Sequence, residues 1–176
     1  TRLLDAALVL FADKGYAKTS TREIAQAAQV NVASISYYFG DKAGLYRAVF
    51  TDPRSNPHIE PNDINRLGQP LDEALRVLLL GFTAPLKQGV QMQSCMKLHF
   101  REMLEPTGLW EAEIDDNIRP AHMAIVQVLC RHLGVVQPDD AVHRLAFSIV
   151  GLAMMLHVGT DVIQAKTGTH LLELIG

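Results

Sequence analysis

From Leu3 to Leu156 apolar residues recur at intervals of three and four, and no stretch of substance alternates as a strand would. A chain with one periodicity has few ways to bury itself: helices must pack on helices. The expected fold class is all-α. Nearly half of the 176 residues are apolar, which suits a buried core and argues against disorder. No apolar run reaches the roughly 18–20 residues that span a bilayer, so no membrane partner is expected. The most apolar window, 145–158, carries Ser148 and ends beside His157, and reads as a buried helix.

The first 50 residues divide into short helices. Leu3, Leu4, Ala7, Leu8, Phe11 and Ala12 make one stripe, which stops at Lys14-Gly15, a cation followed by a left-handed cap. Ser20-Thr21-Arg22-Glu23 reads as a capping box, with Ser20 accepting from the Glu23 backbone. A second helix follows, with Ile24, Ala25 and Ala28 facing inward. Gln29-Val30-Asn31 is a turn, and Asn31 caps a third helix, Val32 to Tyr38. Gly40-Asp41 breaks and recaps, and a fourth helix starts near Lys42. Residues 52–70 hold four prolines and few apolar residues, which predicts a linker or connection. Further helices are expected over Leu71–Lys87, with a stripe through Leu75, Leu78, Leu79 and Phe82, and over Met92–Leu104. Thr107 is placed to cap a long helix, Gly108–Leu133, bent or interrupted near Pro120 and ended by Gly134. Asp139-Asp140 open another, to about His157, and Leu171–Ile175 begin a last one. The expected domains are therefore 1–51 and 71–176, joined by 52–70. The chain begins inside a helical pattern without a Met, so preceding residues are expected.

The pattern of the first domain is a helix-turn-helix with a bracing helix. Small Ala25 and Ala28 permit a close crossing, and Val30 and Ile35 seal it. The third helix then offers Asn31, Val32, Ala33, Ser34, Ser36, Tyr37 and Tyr38 on its other faces. Small residues allow close approach to a major groove, and hydroxyls and amides bond base edges or phosphates. Thr21 and Arg22 at the start of helix two, and Lys42 at the start of helix four, are candidate phosphate contacts. Charge agrees: residues 1–50 carry six Lys/Arg against four acids, while the remainder carries ten against fifteen. The expected partner is double-stranded DNA. The alternative is a helical small-molecule-binding or enzymatic bundle in which the N-terminal hairpin is packing only, without DNA binding.

Thr21-Arg22-Glu23-Ile24-Ala25, Val30, Ser34-Ile35, Tyr37-Tyr38-Phe39, Asp41-Lys42 and Leu45 resemble the TetR family of bacterial repressors, as does Phe11-Ala12-Asp13-Lys14-Gly15-Tyr16. The likeness covers residues 2–50. It implies that Thr21 and Arg22 touch phosphates or the groove edge. It implies that Val32, Ala33, Ser34 and Ser36 face bases, and that Tyr37, Tyr38 and Lys42 contact the backbone. There are departures. Gln29 stands where the turn usually has Gly, which implies a positive φ or an altered turn. Ala33 stands where Gly is frequent, and Ser36 replaces a common Tyr, which implies a different operator preference.

One helix-turn-helix reads few base pairs, and a symmetric dimer doubles the site into a palindromic operator. The expected interface lies on Ala141–His157 with the last helix: Leu145, Ile149, Gly151, Leu152 and Leu156, with Ala146 and Ala153 allowing close contact. The resemblance implies late helices paired as a four-helix bundle in a homodimer. Phe100-Arg101-Glu102-Met103-Leu104-Glu105-Pro106 and Ile118-Arg119-Pro120 further resemble the CecR (YbiH-like) subgroup. Such regulators commonly bind a small-molecule effector among these helices, and here the expected lining is Met96, His99, Phe100, Met103, Trp110, Met123, Phe147, Met154, Met155 and His157. Methionines and aromatics make an adaptable apolar cavity.

Catalysis finds little support. No Gly-rich phosphate loop, nucleophile elbow or paired carboxylates are present, so no enzyme and no cofactor are expected. Cys95 and His99 share a helix face, but two ligands do not make a metal site. Cys95 and Cys130 read as buried reduced thiols, and a cytoplasmic location is expected, with no signal peptide.

Overall fold

The computed structural model describes residues 2–54, 59–66, 68–159 and 165, and every regular element among them is helical. Packing divides the chain into two compact units, Thr1–Pro57 with Gln88–Ala112, and His58–Lys87 with Glu113–Gly176.

The first unit contains α1 (Arg2–Lys18), α2 (Thr21–Ala27), α3 (Ala33–Phe39), α4 (Lys42–Phe50) and α7 (Val90–Leu104). Local chemistry sets the helix starts. The Ser20 hydroxyl accepts from the Glu23 N–H at 3.2 Å, and Asp41 Oδ1 accepts from the Gly44 N–H at 2.8 Å. The Glu23 carboxylate pairs with Lys14, whose hydrogen bond holds it below the usual carboxylate range. The expected stop at Gly15 is instead a kink: φ is +80° and ψ 166°, and helical structure resumes to Lys18. Leu8, Phe11, Ile24, Ile35, Leu45, Val49 and Phe50 make one buried cluster, and α7 adds Cys95 and Leu98. Each large apolar side chain buried there stabilises by about 1.5–3 kcal/mol. Thus α7 packs on α1 and α4, although the sequence places it beyond the 52–70 connection.

The second unit is built on α5 (Pro61–Ile64), α6 (Leu71–Lys87), α9 (Arg119–Leu133) and α10 (Asp140–Val158). The connection expected over 52–70 thus contains a helical turn. Pro61 starts it, where a missing N–H costs nothing, and Ile64 is buried against Ala74, Leu78, Ala124, Ile125 and Val128. Helix α6 has the expected bounds, but Leu79 is exposed rather than core-facing, because Ala74 and Leu78 carry the buried stripe. The helix expected over Gly108–Leu133, bent or interrupted near Pro120, is interrupted: it runs as α8 (Trp110–Glu113), a π turn (Ile114–Ile118) and α9, with Pro120 in the first turn of α9. Thr107 does not cap it: the helix begins at Trp110, and the Thr107 N–H and hydroxyl both donate to Glu102. Gly134 closes α9 in the left-handed conformation (φ 68°, ψ 24°), and Asp139 Oδ1 accepts from the Val142 N–H at 3.0 Å to open α10. Between α9 and α10, His122 Nε2 lies 3.0 Å from His143 Nδ1. Burial, then electrostatic repulsion by the neighbouring His143 ring, lowers His122 below its ordinary value. The helix expected over Leu171–Ile175 lies outside the described residues.

Ile64→Ala tests whether 61–64 belongs to this core. Removing a fully buried isoleucine should lower the unfolding free energy by about 3 kcal/mol. The check is the urea midpoint at constant m-value; an unchanged midpoint would return the segment to a plain linker.

Candidate nucleic-acid interface

Helix α3 is seven residues long and buries one side chain, Ile35, completely. Its other faces point outward. Tyr37 is 82% and Tyr38 71% exposed, their rings meeting edge to face at 4.9 Å. Val32, Ala33 and Ser36 are exposed, and Ser34 is half-buried. Asn31 is exposed and has a structural task, its Oδ1 accepting from the Ala33 N–H at 2.8 Å. The structure therefore brings Asn31 to Tyr38 onto one short outward element of two tyrosines, two hydroxyls and two small or β-branched apolar residues.

Helix α2 opens with Thr21, half-buried, and Arg22, exposed. Lys42 differs from the other expected contacts. Its ammonium donates to the Thr19 carbonyl at 2.8 Å and sits 4.4 Å above the Tyr16 ring. It ties α4 to the corner between α1 and α2, and keeps two of its three donors for other acceptors.

Two backbone features set the angle of α3. Gln29 has φ 56°, the one non-glycine residue at positive φ among those described. The turn thus keeps the glycine-like geometry that the sequence departure put in question, at a cost of about 1–2 kcal/mol for a residue with a Cβ. Gly44, in the first turn of α4, has no room for a Cβ, which would overlap the Phe39 carbonyl oxygen. The end of α3 and the start of α4 therefore touch backbone to backbone. Neither this requirement nor the buried Glu102 is singled out by the sequence pattern, since each depends on what it meets in space.

The residues expected to line an effector cavity fall into two sets. Met96, His99, Phe100, Met103 and Trp110 lie in the first unit, where the His99 ring stacks on Phe50 at 4.4 Å and its Nδ1 faces the Cys95 sulfur at 3.5 Å. Met123, Phe147, Met154, Met155 and His157 lie in the second. Phe147 is 63% exposed and stacks on His122, and His157 Nε2 lies 2.6 Å from the Phe82 carbonyl. A surface depression of about 380 Å³ in this unit includes Met123 with Val126, Cys130, Arg131 and Val135 in its lining. On α10, Leu145 is 41% and Leu152 73% exposed, with Gly151 also open. Ile149 and Leu156 are half-buried, and Ile149 packs on the core of its own unit. Ala146 is buried in that same core, so its small size serves contact within the chain.

Comparison with known proteins agrees with this arrangement. The family model for bacterial regulatory proteins of the tetR family matches residues 3–49. The model for the C-terminal domain of the HTH-type transcriptional dual regulator CecR matches residues 71–173. CecR of Shigella flexneri is 29% identical over 95% of this chain and 79% of its own length. YvkB of Bacillus subtilis (strain 168), an uncharacterized HTH-type transcriptional regulator, is 35% identical over 93% of this chain and 86% of its own. Among solved structures, HlyIIR, a hemolysin II transcriptional regulator, superposes with a TM-score of 0.67 at 25% identity, over 93% of this chain and 89% of that one.

Two substitutions test the backbone account, with thermal and urea unfolding as the measurement. Gln29→Gly should raise the unfolding free energy by about 1 kcal/mol, because glycine takes positive φ without strain. Gly44→Ala should lower it by about 3 kcal/mol, because the clash is with backbone that cannot rotate away.

Proposed function

The chain belongs to the TetR family of bacterial transcriptional regulators, with a CecR-type C-terminal region, and from that premise we propose that it is a homodimeric repressor that binds a palindromic operator and leaves it when a small apolar effector binds. The observation that carries the DNA-reading part is the face of α3: Ile35 is buried while Val32, Ala33, Ser36, Tyr37 and Tyr38 are exposed around it. In this reading Val32, Ala33, Ser34 and Ser36 approach base edges in the major groove. Tyr37, Tyr38, Thr21, Arg22 and the free donors of Lys42 hold the phosphates on either side. Asn31 acts chiefly by holding the start of the helix.

Dimerisation through α10 is supported by exposed Leu145 and Leu152, which lie a heptad apart with open Gly151 beside them. Effector release requires that the ligand bind the DNA-incompetent state more tightly than the DNA-competent one. The support is the supply of methionines and aromatics named above, with His99 and His157 able to orient a polar group. A cytoplasmic location follows from a chromosomal DNA partner. Among the described residues no helix is long and apolar enough to cross a membrane.

Selection of bound sequences from random duplex DNA tests the reading, and a palindromic winner is expected. Arg22→Ala should weaken binding to all duplexes alike. It should also flatten the slope of log affinity against log salt by about 0.9 for each phosphate it no longer neutralises. An unchanged salt slope would remove Arg22 from the interface. Leu152→Arg should convert a dimer to a monomer in sedimentation and abolish tight binding to the palindrome. A dimer that persists would move the interface away from α10.

A further inference from the structure

Glu102 is fully buried, and DNA reading as described makes no use of it. Its carboxylate is supplied with donors from two sides. From α4, the Tyr46 hydroxyl donates to Oε2 at 2.7 Å. From the segment after α7, the Thr107 N–H donates to Oε1 at 2.7 Å, the Leu109 N–H reaches it at 3.3 Å, and the Thr107 hydroxyl lies 3.0 Å from both oxygens. Burial, then the facing Glu102 carboxylate, pushes the Tyr46 phenol far above its ordinary range, so it stays a donor. A carboxylate is tolerated away from water only when donors satisfy it in this way.

The adjacent residue grips a second helix. Arg101 donates from Nε to the Ala12 carbonyl at 3.3 Å and from Nη2 to the Asp13 carbonyl at 3.1 Å, and Lys97 pairs with Asp13 at 2.7 Å. The kink at Gly15 makes room: a Cβ there would lie 3.2 Å from Arg101 Nη1. Arg101 thus fixes α7 on α1, and Glu102 fixes it on α4. Since α4 meets α3 backbone to backbone at Gly44, the chain of contacts runs from α3 through Tyr46 and Glu102 to Thr107 and Leu109.

We propose that Glu102 is a positioning residue for DNA reading, through which the placement of α3 and α4 is coupled to the order of residues 107–109. The proposal rests on the DNA-reading function above. Bonds to a buried carboxylate cannot be exchanged for water without opening the core. A shift of α4 on DNA must therefore either break the Tyr46 bond or carry Glu102 with it, and Thr107 and Leu109 move in turn. By linkage, a ligand whose affinity for 107–109 is changed by DNA binding changes DNA affinity by the same factor.

The protein contains its own reporter. Trp110 is the single tryptophan, follows Leu109 directly, and packs at the edge of the same core. The duplex obtained by selection is titrated into the full chain, with tryptophan emission and the anisotropy of a labelled copy followed in parallel. Wild type should show an emission shift that saturates together with the anisotropy. Tyr46→Phe should still bind the duplex but lose the emission shift, and Thr107→Val, which keeps the amide donors, should show a reduced one. A purely structural role would lower the melting temperature of both variants and leave the DNA-dependent shift intact, which would overturn the proposal. So would DNA binding by wild type with no emission change. Should Tyr46→Phe fail to fold, Thr107→Val decides alone: a full wild-type shift there overturns the coupling. Absence of any DNA binding by wild type would overturn the DNA-reading function itself, and the positioning role with it.

Discussion

The first unit depends on one side chain and its socket. A helix of seven residues does not hold itself in water, where even favourable sequences need about 12–15 residues. Helix α3 has that length, and Ile35 is its one fully buried residue. The cluster that takes Ile35 in is assembled from α1, α2, α4 and α7, with Phe11, Ile24, Leu45 and Leu98 all fully buried. Because Ile35, with partly buried Phe39 at the end, anchors the helix, Ala33, Ser36, Tyr37 and Tyr38 are left exposed. That is why two tyrosines at 82% and 71% exposure stand on it in a folded protein. The ends finish the constraint: Asn31, two residues before the helix, accepts from its first N–H, and Gly40, Asp41 and Gly44 close the other end.

What was legible in the sequence was local. Ser20, Asp41, Gly134 and Asp139 act on residues three or four positions away, so their types and spacing alone reveal those helix ends, whereas the third helix begins one residue later than expected, with Val32 rather than Asn31 in the cap position. The inward positions Ile24, Ala25, Ala28 and Ile35 follow from period and are buried as expected. The departure at Gln29 was visible, and its positive φ resolves it in favour of the glycine-like turn. What was not legible depends on partners distant in sequence. Ile64 looks like a loop residue among prolines until Ala74 and Ala124 surround it. Thr107 has the form of a helix cap, but the helix starts three residues later and Thr107 donates back to Glu102. Tyr46 and Glu102 are 56 positions apart, and neither residue type announces the other. The methionines and aromatics proposed for an effector show the same limit, since a stripe of such residues does not reveal which cavity, if any, it lines.

Family region and packing unit do not coincide here. The CecR-type match spans 71–173, yet α7 within it shares a core with the helix-turn-helix. The Arg101-Glu102 pair, which the sequence offers only as part of a likeness, has a physical task in that core. It bonds the Ala12 and Asp13 carbonyls beside the Gly15 kink and holds the phenol of α4. The second unit keeps its own cluster around Val126 and Leu129, and leaves Leu145 and Leu152 of α10 outward.

The central claim is that the outer face of α3 lies in the major groove of two symmetric half-sites. Chemical probing with dimethyl sulfate on the selected duplex is the direct measurement, since it modifies guanine N7 in the major groove and adenine N3 in the minor groove. The account predicts guanine N7 protection in two patches related by the palindrome, absent from the half-sites when Ser36 and Tyr37 are replaced by bulky acids. Unchanged guanine reactivity under saturating protein, or protection confined to adenine N3, would contradict it.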